Sequence, residues 1–185
     1  LSIASQDSVF NSPLNISFKN FRIETLSKML ESETVDLGGG INGQATISRL
    51  ESNPVFVSDL TVEKFYIGKD TVGNVNIKVN NERENTYSAN VSISENGNNV
   101  VLSGDFISPP TGESTLDFTL DIAPLSMHTV QAFRLCYLNE SKGNLGGQLK
   151  ITGSPSKPLI KGDVKFKDAQ FNIAMLNALF KAKDK

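Results

Sequence analysis

Apolar and polar residues alternate along most of this chain. Val75, Ile77 and Val79 alternate with Asn76 and Lys78, and Val91 and Ile93 with Ser92 and Ser94. Leu116, Phe118, Leu120 and Ile122 alternate with Asp117, Thr119 and Asp121. Leu149 and Ile151 alternate with Lys150 and Thr152, and Val164 and Phe166 with Lys165 and Lys167. Period two places successive side chains on opposite faces, so each run predicts a strand with one apolar and one wet face. Asn96-Gly97-Asn98 predicts a hairpin between strands near 87–94 and 100–107. Pro109-Pro110-Thr111-Gly112 predicts a second turn, and Gly38-Gly39-Gly40 and Gly146-Gly147 predict strand starts or bulges. Helical spacing interrupts the strands three times. Leu26, Met29 and Leu30 share a side of residues 24–31. Met127, Val130 and Phe133 follow Ser126, a potential cap. Ile173, Leu176, Leu179 and Phe180 give the tail from Asn172 an amphipathic helical pattern.

The pattern also repeats at long range. Shifted by 104 positions, residues 39–65 fall on residues 143–169 without a gap. Seven of the 27 pairs are identical: Gly39/Gly143, Gly43/Gly147, Gln44/Gln148, Ile47/Ile151, Ser52/Ser156, Pro54/Pro158 and Asp59/Asp163. Average composition would give about one or two. Upstream, Ile16, Phe18, Phe21 and Ile23 fall on Leu120, Ile122, Leu125 and Met127. The repeat divides the chain into a first β-rich unit, residues 1–117, and a second, incomplete unit, residues 118–185. No linker rich in Pro, Gly or Ser separates them, so one continuous structure is expected. A β-rich tandem unit belongs to extended architectures that work as surfaces rather than catalytic clefts.

Composition narrows the function classes. Hydrophobic residues are 38% and charged residues 21% of the chain, which suits thin or open sheets with half of each strand in water. A net charge of −2 gives no basic footprint for nucleic acid. One cysteine excludes an internal disulfide. No run approaches the roughly 20 apolar residues of a membrane span. The chain starts in mid-pattern with Leu1 rather than Met, and reads as a piece of a longer protein.

Candidate chemistry is sparse. Gly38-Gly39-Gly40-Ile41-Asn42-Gly43 matches the letters of a dinucleotide-binding loop. That mechanism needs a helix N-terminus next, whereas Gln44-Ala45-Thr46-Ile47-Ser48 reads as strand. His128 and Cys136, the only residues of their kinds, lie eight apart on a helical segment. That separates them by about 12 Å along the axis, too far for a thiolate–imidazole pair, and a zinc site needs more ligands. Asp117 and Asp121 share the wet side of a strand. Asp59 and Asp163 recur after Ser58 and Gly162, as residues beside turns that bond backbone N–H groups do. Asn15, Asn90 and Asn139 open glycosylation sequons by letter only. The apolar rows read either as a core between two sheets or as the lining of an open groove, and composition alone favours the core. The residues therefore predict no catalytic, cofactor or metal site.

The repeated grammar carries a resemblance. It appears as Ile41-Asn-Gly-Gln-Ala-Thr-Ile-Ser followed by Asn53-Pro-Val-Phe-Val-Ser-Asp-Leu-Thr-Val. It returns as Leu145-Gly-Gly-Gln-Leu-Lys-Ile-Thr-Gly-Ser followed by Lys157-Pro-Leu-Ile-Lys-Gly-Asp-Val-Lys-Phe. Over about residues 14–185 this resembles the C-terminal part of the TamB family of translocation and assembly module proteins, in the AsmA-like superfamily. The first copy departs from the pattern, with Arg49-Leu50 in place of Gly-Ser and Ser58 in place of the second Gly.

The resemblance implies a mainly β fold: an elongated, curled antiparallel sheet, a β-groove or taco, built from tandem units with a few short helices. It implies the periplasm of a diderm bacterium, within a protein anchored in the inner membrane outside this chain. The expected role is non-enzymatic. An apolar groove would shield phospholipid acyl chains during transport between inner and outer membranes. The candidate lining is Val75, Ile77, Val79, Val91, Ile93, Leu116, Phe118, Leu120, Ile122, Val164 and Phe166. The alternative is a protein-binding scaffold in outer-membrane protein assembly or secretion, pairing strands with a partner such as an outer-membrane barrel protein. No cofactor, metal or nucleic acid is expected.

Overall fold

The computed structural model describes residues 1–5, 12–25, 36–50, 53–133, 138–173 and 178–181. Its strands are β1 (Ser2–Ser5), β2 (Leu14–Arg22), β3 (Leu37–Ser48), β4 (Val55–Ile67), β5 (Asp70–Asn80), β6 (Thr86–Glu95), β7 (Asn98–Ile107), β8 (Thr115–Ser126), β9 (Leu138–Ser154), β10 (Lys157–Ile173) and β11 (Ala178–Lys181). Helix α1 (Met127–Ala132) lies between β8 and β9. All eleven strands form one antiparallel sheet in chain order from β1 to β11, and the sheet is open. The molecule exposes 12285 Å², against about 8,700 Å² for a compact chain of this mass. The excess fits an open sheet that, among the described residues, carries no second sheet over it.

The turns follow local chemistry. β6 and β7 are joined by Asn96-Gly97, with φ of 48° and 78°. Positive φ at both positions is the two-residue hairpin that matches strand twist, and Asn-Gly supplies it without strain. Residues 108–114, with the Pro-Pro-Thr-Gly run, connect β7 to β8.

The repeat is visible as duplicated register. In the first half Gln44 pairs with Asp59 and Gly43 with Leu60. In the second, Gln148 pairs with Asp163 and Gly147 with Val164. One strand earlier, Phe18 pairs with Gly43 before an irregularity that ends at Phe21, opposite Ile41. At the same offset Ile122 pairs with Gly147 before an irregularity that ends at Leu125, opposite Leu145. Helical backbone follows in both, at residues 23–25 and 127–132. Lys64 and its counterpart Asp168 share a positive φ of 52° and 50° where the ladder shifts again. The repeated sequence thus encodes a strand, a kink, a helical turn and a hairpin. Residues 117 and 118 lie inside β8.

Several expectations are corrected. The described parts of the tail from Asn172 are strand, not helix: β10 runs to Ile173, and Ala178–Lys181 pairs with Gln170–Ile173. An available ladder edge satisfies those backbone groups better than a short isolated helix. Gly146-Gly147 is not a strand start: it lies mid-strand in β9, where the ladder with β8 shifts register as a bulge does. Gly38-Gly39-Gly40, by contrast, does open β3 with a ladder shift around Gly39, and the chain runs on as strand, as expected. Asp59 and Asp163 stand in the middle of β4 and β10, away from any turn. Asp59 pairs with Lys78 at 3.0 Å. The proposed helix of residues 24–31 is helical at 24 and 25, and its remainder lies outside the described residues, as do Leu176 and Cys136.

Strand-interior glycines shape the sheet. At Gly104 a Cβ would sit 2.1 Å from the Asp117 carbonyl oxygen, and φ is 149°. At Gly147 it would sit 2.1 Å from the Asp163 oxygen, with φ 146°. Such kinks are the usual source of curvature in a sheet. Gly104→Val should therefore lower stability by about 1–3 kcal/mol from backbone strain alone, and further through the clash. Gly68, at φ 60° with nothing within 4 Å, should accept Asn with little change. Urea unfolding midpoints of the two variants check this contrast.

Candidate functional site

The alternation places side chains on two faces, and the ladder decides whether those faces stay continuous. Directly paired residues point the same way. Leu60, Ile77, Val91, Leu102, Leu120 and Leu149 stand opposite one another across six strands, β4 to β9. Ile41, Val62, Val75, Ile93, Val100 and Ile122 form a second row from β3 to β8. Val79, Ala89, Gly104, Phe118, Ile151 and Ile160 form a third, from β5 to β10. Tyr87, Phe106 and Leu116 form a shorter fourth. Phe166 pairs with Leu145, which pairs with Leu125.

Every residue of the candidate lining falls on this one face. Val75, Ile93, Ile122 and Val164 belong to the second row, which continues through Gly147. Ile77, Val91 and Leu120 belong to the first, and Val79 and Phe118 to the third. Leu116 and Phe166 lie at the two ends. Val75 and Ile122 are buried, most of the rest are half-buried, and Val164 and Phe166 are exposed. The rows also take in residues that the sequence did not single out, among them Leu60, Val62, Val100 and Leu102. The parity of Val100 and Leu102 is hidden because Val100-Val101-Leu102 is apolar without alternation.

The opposite face is polar and bonded to itself. Thr61 donates to Asn76 at 2.9 Å, and Asn76 to Ser92 at 3.4 Å. Lys78 pairs with Asp59, and Lys150 with Asp117. Asp121 accepts from Gln148. Asp117 and Asp121, both on β8, thus each meet a polar partner from β9 on the wet side. His128 lies on the exposed side of α1. Among the described residues no three His, Cys, Asp or Glu side chains cluster as a metal-binding group, and no helix is long and apolar enough to cross a membrane.

Helix α1 covers one end of the apolar face. Its Ala132 packs with Ile67 and Val72, and its Val130 with Met127 and Ala169. The anchor is Asn98, which is buried at the start of β7. Its Nδ2 donates to the Val72 carbonyl at 2.6 Å and to Thr129 Oγ1 at 2.8 Å, and its Oδ1 accepts from the Ser126 N–H at 2.9 Å. One amide thus ties β5, β7, the end of β8 and the helix together. Ser126 caps the helix by accepting from the His128 N–H. Sequence reasoning took Asn98 only as part of a turn. At the other end, an aromatic row of Phe56, Tyr87 and Phe106, with centroids 6.1 and 5.8 Å apart, borders a cleft of about 440 Å³ lined by Arg49, Asn81, Arg83, Tyr87 and Ser108. Arg83 is already held by Asp105 and Ser88. The Arg83 hydrogen bond, then that of Ser88, lowers the Asp105 carboxyl below its ordinary range.

Glu24 is the most perturbed acid. Hydrogen bonding from Arg22 at 2.7 Å, then from backbone N–H and the Tyr66 hydroxyl, lowers it to about 2. The Tyr66 ring fills the space where Gly38 has no Cβ.

Two measurements probe these anchors. Asn98→Leu strands two buried polar partners and a half-buried N–H, and a buried group left unsatisfied costs about 1–3 kcal/mol. It should lower stability by at least ~2 kcal/mol and speed amide exchange in α1. Glu24 has a folded value below the unfolded one of about 4.3. Its contribution is full above that pH and is lost as the pH falls toward 2. Acid unfolding of Glu24→Gln should therefore show a shallower loss of stability between about pH 4.5 and 2 than the unaltered chain. As for known proteins, no family model, curated protein sequence or solved structure matches this chain.

Proposed function

We propose that this chain is a non-enzymatic segment of an apolar β-groove that shields phospholipid acyl chains. The observation that carries the reading is the continuous apolar face, six residues wide in each of three rows. Among the described residues, α1 and Ile23 of the helical turn at 23–25 pack against it. The kinked glycines at 104, 147 and 162 support a sheet curled into a trough. Each CH₂ taken from water gains about 0.8 kcal/mol, so such a face holds an acyl chain without a headgroup site. The likeness of Leu145–Phe166 to the TamB grammar supports the rest of the reading. On it, the chain belongs to an inner-membrane-anchored envelope protein, works in the periplasm of a diderm bacterium and serves lipid movement between its membranes.

Phe118 is the place to test it, half-buried in the third row between Gly104 and Ile151. The chain expressed in bacteria should carry phospholipid, seen by native mass spectrometry after gentle release. A folded Phe118→Asp variant should lose most of it. Equal lipid on both proteins, or none on the unaltered chain, would sink the proposal.

A further inference from the structure

The cleft beside the Phe56–Tyr87–Phe106 row is where the apolar face meets water. Antiparallel order brings the connections after β3, β5 and β7 to one rim of the sheet. Helix α1 packs on Ile67 and Val72, at the other ends of the strands. Arg49 lines the cleft from the first connection, Glu82 and Glu84 from the second, and Ser108 from the third. Tyr87 belongs both to the cleft and to the aromatic row, and is exposed. A molecule lying on the apolar face and reaching this rim therefore passes over Tyr87 into a charged cleft.

The cleft carries both signs of charge, and part of each is unpaired. Arg83 is neutralised by Asp105, on the polar face. Asn81 accepts from the Phe56 N–H at 2.8 Å and donates to the Pro54 carbonyl at 2.9 Å, which fixes the second connection against the start of β4. Among the described residues, the Arg49 guanidinium and the Glu82 and Glu84 carboxylates form no hydrogen bond or ion pair. One cation and two anions thus stay open to a ligand. A purely anionic group would meet more repulsion than attraction there, and a purely cationic one would leave Arg49 unmatched. A group with a phosphate for the guanidinium and an ammonium for the carboxylates matches the set, and the Tyr87 ring also favours an ammonium. The backbone supports a role for Arg49. Its φ is 54°, in the left-handed region, where its counterpart in the second copy is Gly153 at φ 87°. Glycine takes that conformation without strain, and a strained residue kept in its place points to its side chain.

We infer that this rim cleft receives the headgroup of a zwitterionic phospholipid, its phosphate on Arg49 and its ammonium toward Glu82 and Glu84 beside Tyr87. The acyl chains then lie along the apolar rows. The inference rests on the groove reading and adds to it a headgroup preference, which burial of acyl chains alone does not supply.

The test offers the full chain, stripped of lipid, vesicles of equal phosphatidylethanolamine and phosphatidylglycerol with matched acyl chains. Native mass spectrometry then counts each lipid on the protein. Exposed charge pairs are weak, so the ethanolamine lipid should exceed the glycerol lipid by about threefold. A chain with Glu82→Lys and Glu84→Lys should reverse that preference. Arg49→Gly, the residue of the second copy, should lower uptake of both phospholipids without lowering thermal stability. Diacylglycerol of the same chains carries neither charge and should bind all three proteins equally. The preference of the unaltered chain is read without any variant. Diacylglycerol uptake with no headgroup preference, or a preference that survives the Glu82 and Glu84 substitutions, would overturn the inference and leave the groove reading standing. Absence of diacylglycerol and phospholipid alike from the unaltered chain would overturn both. Glycerophosphoethanolamine, the same headgroup without chains, should not displace the lipid. Binding as tight as the lipid's would make the cleft a site for a free phosphodiester and would also overturn the inference.

Discussion

The structure depends on constant parity in its ladder. Side chains alternate with period two, so a one-residue slip between any two strands would move a whole apolar set to the wet face. Through the paired apolar rows that slip does not occur; the one-residue shifts near Gly39, Lys64 and Pro124 lie at the ends of those rows. Leu60 meets Ile77, Val91, Leu102 and Leu120 in turn, and where the ladder is irregular, between Ile122 and Leu125, the apolar face resumes with Leu125 opposite Leu145. Burial alone would not hold a single layer so strictly, since much of the face is half-exposed. The two-residue Asn-Gly turn and the polar face contribute, with Thr61, Asn76 and Ser92 bonded across three strands.

Glycine acts where side chains would oppose curvature. Gly43, Gly104, Gly147 and Gly162 combine positive φ with a carbonyl of the neighbouring strand about where a Cβ would stand. Two of them, Gly43 and Gly147, are repeat partners, which explains why glycine survives at that position in both copies while the residues around it differ. The repeat therefore preserves backbone events (kink, helical turn, hairpin register) more faithfully than side-chain chemistry. The divergence is greatest on the polar face of the hairpin's second strand, where Val57, Thr61 and Glu63 become Lys161, Lys165 and Lys167.

The ends of the apolar face are treated differently. One is closed by α1, held through a fully bonded buried amide at Asn98. The other finishes in the Phe56–Tyr87–Phe106 row beside polar turns. A buried amide with every partner satisfied specifies one geometry, whereas aliphatic contacts alone would tolerate several. This asymmetry gives the sheet a closed side and an open side, a distinction that the strand pattern does not contain.

The sequence by itself determined the strands, the Asn96-Gly97 hairpin, the α1 helix with its Ser126 cap, and the duplication. These follow from local periodicity, turn chemistry and self-comparison, which need no knowledge of neighbours. It also determined that the candidate lining residues alternate with polar ones. Only the tertiary structure decided that all eleven share one face, because that depends on register between strands far apart in the chain. Registry likewise revealed Val100 and Leu102, whose parity is masked by the apolar Val101 between them, and moved Asp59 and Asp163 from turns to mid-strand. The tail shows the limit most plainly. Its helical spacing was real, but pairing with Gln170–Ile173 made part of it β11, since a long-range ladder satisfies backbone groups that local spacing alone leaves to a marginal helix.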